Sequence, residues 1–422
     1  METNYKWNII YNKPQTQKDI LNDIINYKHL DKATIKDYLT YKVPVHDAYL
    51  LRNMKQAIQQ IKNYKNIMIS GDYDVDGITA TAIMYIGLKE LSKIYNFNVD
   101  YILPLRQDGY GLSRNIVEQA KEKNIDLIIT VDNGIAATDV VSYAQQCGID
   151  VIITDHHKPK IDTTTGKFIL PNCLIVDPQI DDYPFKYICG ACVAFKFIEK
   201  FFEESSIPLN KYNSDLYDEL LVLNAIATIA DVMNLVDENR FYVGMGLQKL
   251  STIKNIGLQE LIKQADLTSI SVDTIAYTIG PILNAAGRMA TPYLALNLLL
   301  SEDVVHCAKL AKQLIDLNTK RREIQQQAID NISEDTLKNN FIVIYDPSIQ
   351  KGILGTIASA VANKYHKPCF VLSSNSTKSD NNIHLTGSGR TVQGYPILSF
   401  IQSSKDSASS CSHHLAGHEA RH

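Results

Sequence analysis

The sequence predicts an α/β protein: a parallel sheet joined by a long helix to a smaller α/β unit. Three observations lead there. Short apolar runs at Ile67–Ile69, Val99–Leu103, Leu127–Val131, Val151–Ile153 and Leu174–Val176 alternate with helical spacings such as Ile78 to Leu88, the pattern of strands covered on both faces. Glu302 to Ile332 reads as one helix, with Val305, Ala308, Leu310, Ala311, Leu314, Ile315 and Leu317 on one side and Lys320-Arg321-Arg322 near its middle. After it the strand signal returns at Phe341–Tyr345, Cys369–Leu372 and Ile383–Thr386, with a helix from about Gly355 to Tyr365.

In order, residues 1–45 are polar, rich in Lys and Tyr and weakly periodic, an N-terminal arm with short helices. Residues 46–300 carry the parallel sheet and then mostly helices, 301–335 the connecting helix, and 336–422 the smaller unit with polar loops at Ser373 to Asn382 and Ser403 to Ser412. A chain of 422 residues exceeds one ordinary core.

Apolar residues make up 45% and charged residues 21%, which supplies buried cores and excludes global disorder. The net charge of −4 gives no global drive toward nucleic acid or anionic lipid, so a polyanion must be met by local basic groups. Met1-Glu-Thr-Asn-Tyr-Lys lacks the apolar core of a signal peptide, and no run reaches the roughly 18 apolar residues of a membrane span. A cytoplasmic protein without a membrane partner is expected. Seven scattered cysteines, an odd number, suit a reducing compartment. Cys189-Gly-Ala-Cys192 has no second C-x-x-C to complete a zinc site and opens an apolar helical stretch, so it reads as packed thiols.

The chemistry lies where apolar runs end. Gly71-Asp72-Tyr-Asp74-Val-Asp76-Gly77, Asp132-Asn-Gly134, Asp155-His156-His157 and Asp231 each close such a run. In an open parallel sheet the strand C-termini share one edge, so these groups converge into a candidate site for a hard divalent cation. A calcium loop opening at Asp72 would need a glutamate at its twelfth position, which is Ile83. An aspartate behind a strand is often only a helix cap, and a lone histidine is often a packed residue. Asp155 ahead of two histidines is sharper, because a carboxylate can orient an imidazole. Asp231 sits in the apolar run Leu220 to Val236, where a charge is unfavourable by several kcal/mol unless paired. His418-Glu419-Ala-Arg-His422 matches the H-E-x-x-H of zinc proteases, but a serine-rich loop precedes it and no third ligand follows.

Taken in order, these words resemble the DHH phosphoesterase superfamily. Pro104-Leu-Arg106-Gln-Asp-Gly-Tyr-Gly-Leu112, Gly280-Pro-Ile-Leu-Asn284-Ala-Ala-Gly-Arg288-Met289, Gly352-Ile-Leu-Gly-Thr-Ile-Ala-Ser359 and Gly387-Ser388-Gly389-Arg390-Thr391 resemble its RecJ-type branch of single-strand-specific exonucleases, from about residue 45 onward. The resemblance implies a DHH domain followed by a DHHA1 domain. It further implies that Asp74, Asp76, Asp132, His156 and Asp231 bind two manganese or magnesium ions about 4 Å apart. Asp72 and Asp155 would support them, and His157 would lie beside the scissile phosphate, so that Asp132, Asp155 and His157 form the catalytic set. Arg106, Asn284, Arg288, Ser388, Gly389, Arg390 and His418 are implied as substrate-binding positions, since guanidinium forks and glycine-flanked amides suit phosphate oxygens.

The implied activity is 5′-to-3′ hydrolysis of single-stranded DNA to mononucleotides, with a single-strand-binding protein or helicase as partner. Two alternatives stay open: a phosphodiesterase for short oligoribonucleotides or nucleotide phosphates, and a nuclease-dead binding subunit. The chain departs from the family pattern at Ser70, where relatives often carry a histidine, at Ile349-Gln350-Lys351, where Trp-His is usual, and in Ala416-Gly417-His418, inside which it stops. The DHHA1 domain is thus expected to be either truncated or divergent at its end, and, with no residues remaining for the OB-type domain of longer family members, strand affinity and processivity are expected to be low.

Overall fold

The computed structural model describes residues 39–105, 109–374 and 385–392, with isolated positions at 16, 19, 22, 23 and 35. Most of the N-terminal arm, Arg106, the loop from Ser403 to Ser412, His418 and the H-E-x-x-H word therefore lie outside the described residues.

The strands are β1 (Asn66–Ser70), β2 (Asn98–Ile102), β3 (Leu127–Val131), β4 (Asp150–Thr154), the short pair β5 (Lys160–Ile161) and β6 (Phe168–Ile169), and β7 (Leu174–Val176). All but the pair form one parallel sheet in the order β2-β1-β3-β4-β7. Side chains alternate between two cores, as strand period dictates. Ile67, Ile69, Leu127, Ile129 and Ile152 face one core, and Met68, Ile128, Val151 and Ile153 the other. Each such buried side chain contributes roughly 1.5–3 kcal/mol relative to exposure.

Helices α1 (Met54–Ile61) and α2 (Val75–Tyr95) cover the first face. Helices α3 (Arg114–Glu122) and α4 (Thr138–Gln146) cover the second through Ile116, Val117, Ala120, Val141 and Ala144. The chain then returns to the first face with α5 (Gly190–Glu204) and α6 (Ser214–Ala230). Helix α2 is buried on nearly every side between these layers, which is why its sequence is apolar all round.

Helix α7 (Asp237–Leu250) packs on α6, and the buried ion pair Lys196 Nζ to Glu238 Oε2, 2.7 Å, joins α5 to it. After α8 (Ile256–Gln264), α9 (Gly280–Met289) and α10 (Tyr293–Leu300) comes α11 (Val304–Asp330), a single 27-residue helix, or roughly 40 Å. Its Cys307, Leu310, Ala311 and Leu314 belong to the main core. Its Ile329 belongs to a third core around α12 (Leu354–Tyr365), with Ile324 and Ala328 packed against it. There β8 (Ile342–Tyr345), β9 (Cys369–Ser374) and β10 (Leu385–Arg390) form a sheet, parallel between β8 and β9 and antiparallel between β9 and β10.

One expectation needs correction. The last strand begins at Leu385 among the described residues and runs to Arg390, so the Gly-Ser-Gly-Arg word lies on the strand itself. The β5–β6 hairpin was absent from the sequence reading because two-residue strands carry no detectable period. Among the described residues no helix is long and apolar enough to cross a membrane.

Candidate metal centre

From β1 the chain crosses to β2 on one side, then returns to β3 on the other. Crossovers therefore diverge between β1 and β3, leaving a crevice beyond their C-terminal ends where ligands bind in such sheets. Asp72 follows β1 and Asp132 follows β3. Asp132 takes φ of 61°, a left-handed conformation that aspartate tolerates better than most residues.

Three groups of side chains have ligand atoms all within 4.8 Å of one another: Asp72, Asp74 and Asp132; Asp76, His156 and Asp231; Asp132, His156 and His157. The imidazole Nε2 of His156 lies 3.1 Å from Asp132 Oδ1, 3.6 Å from Asp76 Oδ2 and 3.8 Å from Asp231 Oδ2. Asp72, Asp76, Asp132 and His156 are buried. This set fits a hard divalent cation. Its donors are carboxylate oxygens with imidazole, and Asp132 Oδ1, wholly buried, meets no donor in hydrogen-bonding geometry.

The electrostatics agree. Burial and the neighbouring Asp74 carboxylate push Asp76 up to about 6. Burial and the Asp76 carboxylate push Asp132 well above the ordinary carboxylate range. Asp155 differs: burial raises it, but His157 and further donors outweigh that and hold it at about 2. Its Oδ1 accepts from the His156 N–H (2.7 Å), the His157 N–H (3.2 Å) and lies 2.8 Å from His157 Nδ1, while its Oδ2 accepts from Ile135 N–H at 2.9 Å. Burial lowers His157, and the Asp155 carboxylate more than offsets this, raising it to about 9.

Residues 66–228 match the model of the DHH family, N-terminal domain. Those residues form a DHH-family N-terminal domain. It is 34% identical over 376 residues to the single-stranded-DNA-specific exonuclease RecJ of Bacillus subtilis, covering 86% of this chain and 44% of that protein. To the RecJ of Escherichia coli it is 32% identical, covering 82% and 61%. The crystal structure of exonuclease RecJ bound to manganese superposes with a TM-score of 0.72 at 27% identity, covering 86% of this chain and 88% of that one. RecJ of Thermus thermophilus in complex with manganese gives 0.71 at 26%, covering 88% and 52%. The chain spans about half the length of the curated relatives it matches.

The DHH centre holds each expected acid through a particular device. Asp74 caps α2, its Oδ1 accepting from Gly77 N–H at 3.1 Å. Asp72, expected only to support the ligands, has an oxygen within the Asp74 and Asp132 group. Asp231 is corrected: the apolar run it closes is not a strand at the sheet edge but α6, whose C-terminus it caps, with 29% of its side chain exposed. A helix C-terminus carries partial negative charge, so a carboxylate there also favours a nearby cation.

Among the substrate positions, Asn284 Oδ1 accepts from Val75 N–H at 3.2 Å, which places it beside the Asp74 cap. A β-carbon on Gly287 would sit 2.1 Å from the Tyr73 carbonyl, so α9 rests on the Asp72 to Asp76 turn. Arg288 donates from Nη1 to the Gly352 carbonyl at 3.4 Å, linking two of the sequence words. Arg390, on β10, donates to Ser359 Oγ (3.0 Å), Ser388 Oγ (3.3 Å) and its neighbour Gly389 carbonyl (2.9 Å), a polar group beside Gly355 near the start of α12.

Sequence reasoning missed two further parts. Both Asp76 oxygens accept backbone N–H groups at the start of α5, Gly190 at 2.7 Å and Ala191 at 2.8 Å. The thiols of Cys189 and Cys192 are buried as expected, and burial raises both; the function of that word lies in the residues between them. Asn133 Nδ2 donates to the carbonyls of Ser70, Gly71 and Val131, and its Oδ1 accepts from Leu112 N–H. It thereby ties both strand ends to the Gly109–Leu112 turn. Only the Asn after Asp132 signalled it.

Proposed function

We propose that this chain is a metal-dependent 5′-to-3′ exonuclease that hydrolyses single-stranded DNA to 5′-mononucleotides. The observation that carries the reading is the convergence of five aspartates and His156 at the switch point of the sheet, in a chain similar to proteins named single-stranded-DNA-specific exonucleases. Asp74, Asp76, Asp132, His156 and Asp231, with Asp72, would hold a pair of manganese or magnesium ions. Bound there, such ions polarise a phosphoryl oxygen and lower the pKa of water.

The protein's own groups orient the reaction. Asp155 fixes the His156-His157 backbone and the His157 ring. The Asp155 carboxylate raises His157, and a protonated ring there would present positive charge to the scissile phosphate as charge develops. Arg288, Asn284, Ser388, Gly389 and Arg390 bind the substrate's phosphates, and residues from about 336 onward form the substrate-binding domain. A cytoplasmic location and a single-strand-binding protein or helicase as partner follow from this reading.

The test incubates the chain with manganese and an internally labelled single strand, beside its duplex, a dinucleotide and Asp231→Ala. Stepwise mononucleotide release from the 5′ end, lost in the variant, supports the reading. Cleavage of the dinucleotide alone assigns the chain to small substrates, and manganese binding without any cleavage to a binding-only role.

A further inference from the structure

Helix α6 ends in a Schellman arrangement: Val232 N–H donates to the Ile229 carbonyl and Met233 N–H to the Thr228 carbonyl, both at 3.1 Å. Val232 holds the left-handed position, φ 56°. Glycine is usual there, because a β-carbon, above all a branched one, is disfavoured. Met233 closes the cap from within, 6% exposed, whereas the Val232 side chain is 83% exposed. Neither packing nor backbone preference accounts for a valine here.

The loop is held as a shaped surface. It ends at a second left-handed residue, Asp237 (φ 50°), whose Oδ1 lies 2.8 Å from His46 Nε2. Strain of this kind persists where surroundings over-determine it, and it concentrates at ligand sites. Val236 and Tyr187 are also exposed, at 47% and 56%. The buried Asn239 amide donates to the Tyr187 carbonyl (2.7 Å) and the Asn234 carbonyl (3.0 Å), fastening the two loops side by side. Phe185 braces the Tyr187 ring edge-to-face at 5.7 Å. One loop begins at Asp231; the other leads within three residues to Gly190, whose N–H holds Asp76.

We propose that Tyr187, Val232 and Val236 form an apolar rim that receives the nucleobase of the nucleotide whose phosphate occupies the carboxylate centre. This rests on the exonuclease reading above. A nucleotide with its phosphate on those carboxylates must lay its sugar and base against what borders them. Three side chains are far too few for a protein interface. Aromatic and aliphatic faces accept any base, as an exonuclease that advances along a strand requires.

The test is calorimetry with manganese present, titrating 2′-deoxyadenosine 5′-monophosphate and 2-deoxyribose 5-phosphate into the wild-type chain, Val232→Gly and Tyr187→Ala. The wild type is expected to bind the nucleotide roughly tenfold tighter than the sugar phosphate. Both variants bring that ratio close to one while still binding the sugar phosphate. Val232→Gly keeps or raises the Tm, since glycine suits the left-handed cap, so its loss is not misfolding. Equal binding of the two molecules by the wild type, no binding of the nucleotide, or an unchanged ratio in both variants overturns the rim. Because binding is read without cleavage, a wild type that prefers the nucleotide yet leaves DNA uncut sinks the exonuclease reading alone.

Discussion

Gly190 and Asp132 are packed backbone against side chain: a β-carbon on Gly190 would lie 2.5 Å from the Asp132 Cβ and 2.7 Å from its Oδ1. The missing side chain lets the start of α5 approach closely enough to give its N–H groups to Asp76. Gly190→Ala is therefore expected to push α5 away, lower stability by about 1–3 kcal/mol and weaken manganese binding at least tenfold by calorimetry. Wild-type manganese affinity in this variant would show that the helix start does not shape the centre.

The metal-free centre should be destabilised by alkali. Asp76 stands at about 6 in the folded chain against an ordinary 3.8, so between those values the folded state keeps a proton the unfolded state has lost. That contribution is present below the unfolded value and disappears as pH rises through the folded one. Asp155, at about 2, acts oppositely, its contribution being present above 3.8 and lost only as pH falls through about 2. In EDTA, Tm is expected to be lower at about pH 7.5 than at about pH 5, with manganese raising it more at the higher pH. A metal-free Tm that climbs steadily over this range would contradict the assignment.

Asp155→Asn retains the shape of the side chain but removes the charge that raises His157. Cleavage in manganese should fall by about a hundredfold or more in kcat, and the pH at which the His157 ring titrates, followed by NMR, should drop. An unshifted titration would separate the two residues.

Arg390 is gathered with Ser359 and Ser388 at one end of β10, away from the acidic turn in sequence. Arg390→Ala is expected to raise KM for a 5′-phosphorylated single strand about tenfold or more while changing kcat little, the pattern of lost uniform binding. Equal loss in kcat and kcat/KM would place Arg390 in the chemical step instead.

Lys196 and Glu238 are both essentially unexposed and pair at 2.7 Å, with Tyr183 donating to the other Glu238 oxygen at 2.7 Å. Lys196→Met leaves that carboxylate uncompensated, so denaturant unfolding should show a loss of about 3–5 kcal/mol. A loss below about 1 kcal/mol would mean that water reaches the pair.

Much of the fold was legible. The five strands of the main sheet begin and end within one residue of their apolar runs; the inner strands β1, β3 and β4 are continuously apolar because both their faces are covered, while the half-exposed edge strand β2 admits Asp100. The long helix and the packed thiols were equally visible. The end of α6 was not, since an apolar run does not reveal where a buried helix stops, and so Asp231 was read as an interior charge. The strand Ile383–Thr386 was expected to end four residues too early, because Gly387 and Gly389 have no side chains with which to mark a strand period.

By itself the sequence determined which residues are ionisable and that Asp72, Asp132 and Asp155 stand at strand ends, since both follow from residue type and apolar period. Only the tertiary structure decided which of them meet. The strand order places β1 beside β3 and so Asp72 near Asp132, and Gly190 reaches Asp76 across 114 positions of chain. Such contacts depend on how helices cross the sheet, and local spacing in a chain carries no record of that.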